Sequence, residues 1–444
     1  MFYRLQVAVV VFLVCVLASS LLAAPGSLDP TFGTNGIYND NQSAFSLIPW
    51  DIQQQPDGAL LVVGCSIDAS KSYKTNRVLL RRYNRNGPVD MSFGYDGFAV
   101  GSLFPPGPFD VYGEGRSVTV QPDYKIVVAG LTYVNSSSDT RFTIWRFLPN
   151  GSLDTTFGTE GQMILYQGSV GVGHSVTMDQ GKILVAGSVT TASGVYNVMR
   201  RINLDGSFDT TFGQSSVVVA GQASGGSGTG LKEIGLARAL SVRSTNGDIF
   251  LGGSDFGAHH AIAKYTSTGA VATSFGNNGM AILPFDGLPC YGTYGSGFTT
   301  IMAYPDGRVA GSGPSFNLTQ NLLVTSVVAR FDASGIPDQL FNQNGLVAEP
   351  CVVNPVVQLF SSTLQTDGKI DYLSIGATTQ SQVLYRVNAD GTPDTTFAPA
   401  NVDFGVPQYL LFQPEMSRLV RLGTYSVTTG RVKQTRIKLA RYLP

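Results

Sequence analysis

The feature that most constrains the fold is a short segment, GSLDTTFGTEG at residues 151–161, which recurs along the chain in near-copies. All seven copies begin with Gly and carry Phe at the seventh position, and six carry Asp at the fourth. The copies lie at 26–36, 87–97, 151–161, 206–216, 269–279, 335–345 and 391–401. Their phenylalanines are 55 to 66 residues apart. Similarity at so even a spacing predicts a repeat architecture.

Each interval between motifs contains four short segments with the pattern of β-strands. In the third interval these segments are 174–180, 181–189, 195–203 and 216–221. With 52 glycines, 13% charged residues and no clear helical periodicity, the chain is predicted to be all-β. Four strands per interval predict a seven-bladed β-propeller of four-stranded antiparallel blades. A sandwich or an array of small β domains would leave the uniform spacing unexplained.

The two ends of the chain predict how such a ring closes. The N-terminal motif is followed by one strand, 36–40, which corresponds to the outermost strand of a blade. The C-terminus supplies three strands, at 407–413, 417–423 and 432–442. We therefore predict that the N-terminal strand joins the C-terminal blade beside 432–442, which removes an exposed sheet edge.

Two blocks of the repeat resemble the bacterial delta-60 repeat: QPDYKIVVAG at 121–130 and RINLDGSFDTTFG at 201–213. The resemblance covers residues 26–444 and implies a propeller-like fold in an exported bacterial protein, and it offers no catalytic residues to carry over to this chain. Three copies depart from the pattern, because Ala272 replaces the Asp, and Asn342 and Ala398 replace the Gly after the Phe. Since Asn adopts a left-handed backbone more readily than Ala, we expect the turn at Ala398 to differ.

The N-terminus resembles a secretory signal peptide. Residues 1–24 combine one early Arg, an apolar run and small residues near the end, so we expect cleavage within 18–24. A retained membrane anchor is the alternative, since 5–22 is nearly long enough to span a bilayer. We expect residues 25–444 to form a single exported domain with no membrane span, present as a monomer. The 29 basic and 30 acidic residues argue against a nucleic-acid partner.

The motif aspartates have the residue type of a catalytic site but the spacing of a scaffold. Because they recur at equivalent seams, we expect each to accept backbone hydrogen bonds and so to set the turn on which the Phe docks. The motifs H-x-x-x-H, C-x-x-C and G-x-S-x-G are absent, and the glycine-rich stretches 168–175 and 221–235 fit no phosphate-binding loop. We predict no catalytic residue, metal or cofactor. We interpret the glycine-rich stretches as connections and expect His259 and His260 to face solvent.

A binding site is sought where the repeats differ. Alignment of the first strands on the turns that follow them places one residue per blade near the strand start. These residues are Trp50, Arg116, His174, Arg238, Thr299, Phe360 and Gln408. In a propeller this end of the strand faces the mouth of the central channel. Trp50, Arg116, His174 and Arg238 are therefore candidate ligand-binding residues, because Arg recognises carboxylates and Trp offers a platform for sugar rings.

Three cysteines remain once residues 1–24 are set aside. Cys290 and Cys351 fall in equivalent connections of successive blades, so a disulfide between them is a candidate, with Cys65 as a thiol. The alternative is that all three are reduced.

The favoured function is a non-enzymatic binding scaffold for a glycan, a peptide or a cell-envelope component. A propeller glycosidase, lyase or dehydrogenase with its active site at the channel mouth is the alternative. A purely structural surface-layer component is a third reading. An enzyme would need an acid or base with a perturbed pKa that converges on a pocket.

Overall fold

The computed structural model describes residues 23–41, 46–67, 77–101, 112–133, 139–166, 170–192, 194–214, 216–222, 235–242, 247–255, 259–283, 297–317, 323–353, 361–375, 382–429 and 432–444. All regular secondary structure in these ranges is β-strand, which confirms the all-β prediction. Within the same ranges, no helix is long and apolar enough to cross a membrane.

The described residues form 28 strands, numbered in chain order. They are β1 (Ile37–Asn39), β2 (Ser46–Gln54), β3 (Leu60–Ile67), β4 (Val78–Tyr83), β5 (Phe98–Val100), β6 (Gly113–Val120), β7 (Ile126–Tyr133), β8 (Thr140–Phe147), β9 (Gln162–Tyr166), β10 (Val170–Asp179), β11 (Lys182–Thr191), β12 (Gly194–Ile202), β13 (Val217–Gln222), β14 (Gly235–Val242), β15 (Ile249–Ser254), β16 (His260–Tyr265), β17 (Met280–Ile282), β18 (Thr300–Ala303), β19 (Val309–Asn317), β20 (Leu323–Phe331), β21 (Leu346–Ala348), β22 (Val352–Val353), β23 (Ser362–Leu364), β24 (Ile370–Ile375), β25 (Gln382–Val387), β26 (Gly405–Gln413), β27 (Arg418–Thr429) and β28 (Val432–Tyr442).

These strands divide into antiparallel groups that follow the motif spacing. We name them unit 1 (β2–β5), unit 2 (β6–β9), unit 3 (β10–β13), unit 4 (β14–β17), unit 5 (β18–β22), unit 6 (β23–β25) and unit 7 (β26–β28 with β1). Units 2 and 3 belong to one eight-stranded sheet, but a single parallel pairing, Val170 with Thr140, joins their strands.

Unit 6 has three strands in the described residues, so the prediction of four strands per blade is wrong there. The residue after the motif Phe has a positive φ in other copies, 55° at Gly33 and 48° at Asn342, but φ is not positive at Ala398. The N–H of Ala398 donates to the carbonyl of Pro25 at 3.0 Å, and that of Ala400 donates to Gly26 at 3.0 Å. The segment after the sixth unit therefore follows the N-terminal motif instead of returning to β25.

The first strands of the units contact one another in chain order, as β2–β6–β10–β14–β18–β23–β26, and β26 also contacts β2. The N-terminal strand β1 pairs antiparallel with β28, with Ile37 opposite Ala440. Apolar clusters fill the seams between units. One of them combines Leu47 and Leu60 of unit 1 with Val420 and Leu439 of unit 7.

The motif Asp and Phe are parts of the scaffold. In the third copy, Asp154 accepts hydrogen bonds from the N–H and the hydroxyl of Thr156, at 3.2 and 2.6 Å. Its second oxygen accepts from Arg146 Nε at 2.8 Å, and the Arg146 guanidinium lies 4.3 Å from the centre of the buried Phe157 ring. Burial alone would raise the pKa of Asp154, but these bonds, Lys125 and the charge of Arg146 outweigh it and hold the pKa at about 2.

The same Arg–Asp pairing recurs in other copies of the motif. The arginine partner of the motif Asp was not predicted from the sequence. The Arg–Asp pairs are Arg82–Asp90, Arg146–Asp154, Arg201–Asp209, Arg330–Asp338 and Arg441–Asp29. In four of them the Arg precedes the Asp by eight residues, a regularity visible in the printed sequence. These bonds confirm that the motif carboxylates have a structural role.

A backbone hydrogen bond also joins each of six motif copies to the next. The N–H of the residue after the motif Phe donates to the carbonyl of the residue before the Gly of the following copy. These bonds, from 2.6 to 3.0 Å long, are Gly33–Asn86, Gly94–Asn150, Gly213–Thr268, Gly276–Ser334, Asn342–Asp390 and Ala398–Pro25. The last bond runs from the seventh copy to the first.

Two further sequence predictions are wrong. His260 is buried, with 1% of its surface exposed, and its Nε2 lies 3.0 Å from the carbonyl oxygen of Pro314. Burial lowers the pKa of His260 to about 4. The glycine-rich stretch 168–175 overlaps β10 instead of forming a connection. Gly171 and Gly173 leave the space that the Phe142 backbone and ring occupy, which a β-carbon at either position would meet.

Candidate functional site

The aligned positions on the first strands coincide with irregularities of the β-ladders. Register shifts lie between Pro49 and Asp51, between Gly115 and Ser117, and between Gly173 and Ser175. Trp50, Arg116 and His174 are therefore the extra residues of three β-bulges. A bulge turns a side chain away from the strand's regular alternation, so these three lie on a modified part of each strand.

In units 1, 2 and 3, the glycine that ends the apolar run of the second strand makes room for the bulge. A β-carbon at Gly64, Gly130 or Gly187 would clash with the backbone carbonyl of Ile48, Glu114 or Val172 on the first strand of the same unit. The segments that end at these glycines, L-V-V-G, V-V-A-G and L-V-A-G, thus encode the close approach of two backbones.

The structure brings two of the four predicted site residues together. The guanidinium of Arg116 lies 3.8 Å from the centre of the Trp50 ring, across the seam between units 1 and 2. Glu114 accepts from Arg116 Nε at 3.0 Å and from Nη2 at 2.7 Å, which fixes the guanidinium over the indole. Arg116 and Trp50 are half-buried, and Arg116 Nη1 makes no hydrogen bond within the described ranges. One nitrogen of a fixed guanidinium is therefore available to an anionic group.

Glu114 connects this pair to the second strand of unit 2. The hydroxyl of Tyr133 donates to Glu114 Oε1 at 2.6 Å. Burial and the Glu114 carboxylate raise the pKa of Tyr133. Burial raises the pKa of the nearby Cys65 thiol to about 12, and the charge of Glu114 acts in the same direction, so this thiol stays protonated at neutral pH. Glu114 was not among the predicted site residues, although its i, i+2 spacing to Arg116 on a strand was a usable signal.

Asp51, the residue after Trp50, links three units. Its carboxylate accepts from Ser117 Oγ at 2.9 Å and from Val118 N–H at 3.0 Å, both in unit 2. Ser117 Oγ in turn accepts from the N–H of Val176 in unit 3, at 3.3 Å. Burial raises the pKa of Asp51 to about 6 despite these hydrogen bonds and one from Ile52 N–H. Asp51 therefore holds the first strands together beside the Trp50–Arg116 pair.

The other aligned positions are arranged differently. His174 Nε2 lies 2.9 Å from Ser188 Oγ, on the second strand of its own unit. Arg238 lies on β14, within a register shift, but its side chain is outside the described part of the structure. Gln408 is buried and accepts from Arg421 Nε at 2.8 Å, and Thr299 bonds to the Ser312 carbonyl at 3.3 Å. Phe360 lies outside the described residues.

Of the two cysteines predicted to form a disulfide, the structure describes only Cys351. Cys351 is disulfide-bonded, and Cys65 is a buried thiol. Cys290 lies outside the described residues, so the Cys290–Cys351 pairing stays a prediction. Within the described ranges, no group of three or more His, Cys, Asp or Glu side chains is placed to hold a metal ion.

The units of antiparallel strands and the family comparison define an all-β protein of the β-propeller class. Segments 121–157, 181–212 and 365–397 match a family model described as "Domain of unknown function (DUF5122) beta-propeller". Each segment ends at a motif Phe, so the match covers the second and third strands and the motif of units 2, 3 and 6. No curated protein sequence matches the chain.

Solved structures with a related chain path include three enzymes, each 10% identical to this chain. The polysaccharide lyase Uly1 has a TM-score of 0.46, with 88% of this chain and 90% of the lyase covered. A glucose dehydrogenase has a TM-score of 0.40, with 80% and 99% covered. An endo-arabinase from Bacteroides thetaiotaomicron VPI-5482 has a TM-score of 0.32, with 79% and 97% covered. At these scores the likeness carries no argument about activity.

Proposed function

We propose that this protein is an exported, non-enzymatic, seven-bladed β-propeller that binds a carboxylate-bearing glycan at the mouth of its central channel. In this proposal residues 1–24 are a signal peptide, residues 25–444 form the monomeric propeller, and a Cys290–Cys351 disulfide joins two successive connections. The ligand's carboxylate bonds to Arg116, and a sugar ring packs against the exposed part of Trp50.

The closed ring is supported by three independent kinds of contact between the chain ends. The first strand β2 contacts β26, β1 pairs with β28, and the N–H of Ala398 donates to the carbonyl of Pro25. The first and the third have counterparts at seams between units that are adjacent in sequence, and the second corresponds to the pairing of third and fourth strands within other units. The ends of the chain therefore meet as any two neighbouring units do.

The binding role depends on one observation, the stack of Arg116 on Trp50. It is held in place by Glu114, and it occurs at bulge positions where the repeats differ most. A guanidinium fixed by one carboxylate loses little further conformational entropy on binding a second, which favours recognition. One face of the indole is occupied by Arg116, so only its remaining surface is available to a sugar ring.

The enzyme alternative has one candidate base, Asp51, whose pKa of about 6 lies near neutrality. Its carboxylate already accepts three hydrogen bonds, two of which connect strands of units 1 and 2. A general base must reach a proton of its substrate. This hydrogen bonding favours a structural role for Asp51 and a binding role for its neighbours.

The test is a titration with two labelled oligosaccharides of equal length, tetragalacturonate, which carries carboxylates, and cellotetraose, which is neutral. We expect the acidic oligomer to bind more tightly, and Arg116→Gln and Trp50→Ala each to weaken it about tenfold, which corresponds to about 1.4 kcal/mol. Arg308→Gln, which removes a half-exposed arginine of unit 5, is the matched control and should change nothing.

Equal affinity for the two oligosaccharides, or tetragalacturonate binding that withstands Arg116→Gln, would contradict the proposal. Release of new reducing ends during incubation would instead support the enzyme alternative, particularly if Asp51→Asn abolished it.

A further inference from the structure

A cavity of about 450 Å³ lies in the seam between units 2 and 3, away from the first strands. Phe142 and Leu165 of unit 2 and Val189 and Val198 of unit 3 form apolar walls. The volume falls within the roughly 300–1,000 Å³ of small-molecule pockets. Half-buried Arg200 is the charged residue of this lining, which also contains Thr191.

Arg200 has no counter-ion among the described residues. Its guanidinium lies 4.5 Å from the centre of the Phe208 ring, and it makes no hydrogen bond or ion pair within the part of the chain that the structure describes. Burial lowers the pKa of Arg200, and no anion of the described residues offsets the effect. A partly buried cation without a partner is unfavourable, so this position favours a ligand that supplies a negative charge.

In unit 1 the equivalent arginine pairs with a carboxylate. Arg81 occupies the position equivalent to Arg200, since each immediately precedes the arginine that pairs with a motif Asp. Arg81 is fully buried, and Asp40 accepts from its Nε at 2.8 Å and from its Nη2 at 3.0 Å. Asp40 follows the last Gly of its motif by four residues, and the residue at the same offset before the Arg200 seam is Leu165. Where one seam has a carboxylate, the other has an apolar wall and a cavity.

Two tyrosines border the same cavity. Tyr166 and Tyr196 are half-buried, and neither hydroxyl makes a hydrogen bond within the described ranges. Their rings extend the apolar lining, and their hydroxyls offer further donors near the solvent-facing edge. The cavity thus combines an apolar body, one cation and two weaker donors.

The geometry points to a binding site for a small organic acid, in which the ligand's carboxylate pairs with Arg200 as Asp40 pairs with Arg81. The apolar body of the acid fills the space between Phe142, Leu165 and Val189. An aromatic acid and a medium-chain fatty acid share this chemistry. The site is separate from the Trp50–Arg116 pair and does not depend on the function proposed for that pair.

Isothermal titration of the full chain with 3-phenylpropionate and with octanoate tests the site, with 3-phenylpropan-1-ol as the uncharged analogue. We expect at least one acid to bind tenfold or more tightly than the alcohol. Arg200→Gln should lower the affinity for that acid by about ten- to one-hundredfold, because a hydrogen bond to a charged group contributes about 1.5–3 kcal/mol. The same variant should leave the alcohol's affinity unchanged, and Arg200→Lys should retain part of the acid's affinity.

Leu165→Asp supplies the missing carboxylate within the protein and should abolish acid binding, while Arg116→Gln at the other site should leave it unaltered. Thermal unfolding of each variant verifies that it is folded. The inference is overturned if neither acid binds up to about 10 mM, if the alcohol binds as tightly as the acids, or if Arg200→Gln retains the wild-type affinity. Tighter binding of 3-phenylpropionate would identify the apolar part of the ligand as aromatic, and tighter binding of octanoate would identify it as aliphatic.

Discussion

Arg81 in unit 1 and Arg200 in unit 3 occupy the same place on the third strand of their units, yet their surroundings differ. Arg81 is fully buried, lies 3.8 Å from the Phe98 ring centre and is paired with Asp40. Arg200 is half-buried beside a cavity and pairs with no anion in the part of the chain that the structure describes. The difference separates two uses of one position. A complete ion pair holds two units together, and an incomplete one leaves capacity for a ligand.

The largest expected effect comes from breaking the complete pair. Arg81→Met leaves Asp40 buried without its cation, so we expect the free energy of unfolding to fall by about 4 kcal/mol. Arg200→Met removes a cation that has no partner, and we expect it to change the unfolding free energy by less than about 1 kcal/mol. Denaturant unfolding of both variants measures the contrast.

A double variant sharpens that comparison. Adding Asp40→Asn to Arg81→Met removes the stranded charge and should recover part of the lost stability, as expected for directly coupled residues. If Arg81→Met and Arg200→Met destabilise equally, the distinction between a complete and an incomplete pair is wrong.

The repeated motif should give an intermediate effect. Asp209 accepts from Arg201 Nε at 2.6 Å, and hydrogen bonds from Lys182, Thr211 and Arg201 lower its pKa against the opposing effect of burial. Asp209→Asn should therefore lower the unfolding free energy by about 2 kcal/mol.

Two matched changes test whether this effect belongs to the motif position. Asp205→Asn, at an exposed aspartate of the preceding turn, should leave thermal stability nearly unchanged. Ala272→Asp restores the carboxylate that unit 4 lacks, but Lys264, at the place of the usual arginine, already pairs with Asp248 at 3.0 Å. We expect a gain of no more than about 0.5 kcal/mol. A larger gain would show that the lysine serves as well as arginine.

An effect smaller than that of Asp209→Asn is expected at Asp51, which has no paired cation among the described residues and is therefore the converse of Arg200. Its pKa rises from 3.8 to about 6 on folding, so the folded protein binds this proton more tightly than the unfolded chain does. The contribution to stability is largest below pH 4 and is lost as the pH rises through 6. The full shift corresponds to about 3 kcal/mol. Because Asp51 is only partly buried, we expect about 1–2 kcal/mol.

Denaturant unfolding of the wild type and of Asp51→Asn from pH 4 to pH 7 measures this loss as a difference. Contributions from other groups, including His260, are common to both proteins and cancel. A difference that does not change with pH would mean that Asp51 titrates at its ordinary value in the folded protein.

The sequence anticipated the positions at which the repeats differ better than it anticipated their contacts. Trp50, Arg116 and His174 were selected by alignment alone, and the structure places all three at β-bulges. Their partners were not foreseen. Glu114 was not predicted as a site residue. His260 was expected to face solvent because strand periodicity does not show that Phe298 and the Pro314 carbonyl cover this side chain.

The sequence by itself determined the all-β class, the repeat spacing and the structural role of the motif, because strand periodicity, turn chemistry and Asx-type hydrogen bonds act between residues close together in the chain. Only the tertiary structure decided that Asp40 completes Arg81 and that Leu165 leaves Arg200 incomplete. Those contacts cross from one unit to the next, over 41 residues in the first case. Their distances depend on how sheets pack against each other, and no local pattern specifies that packing.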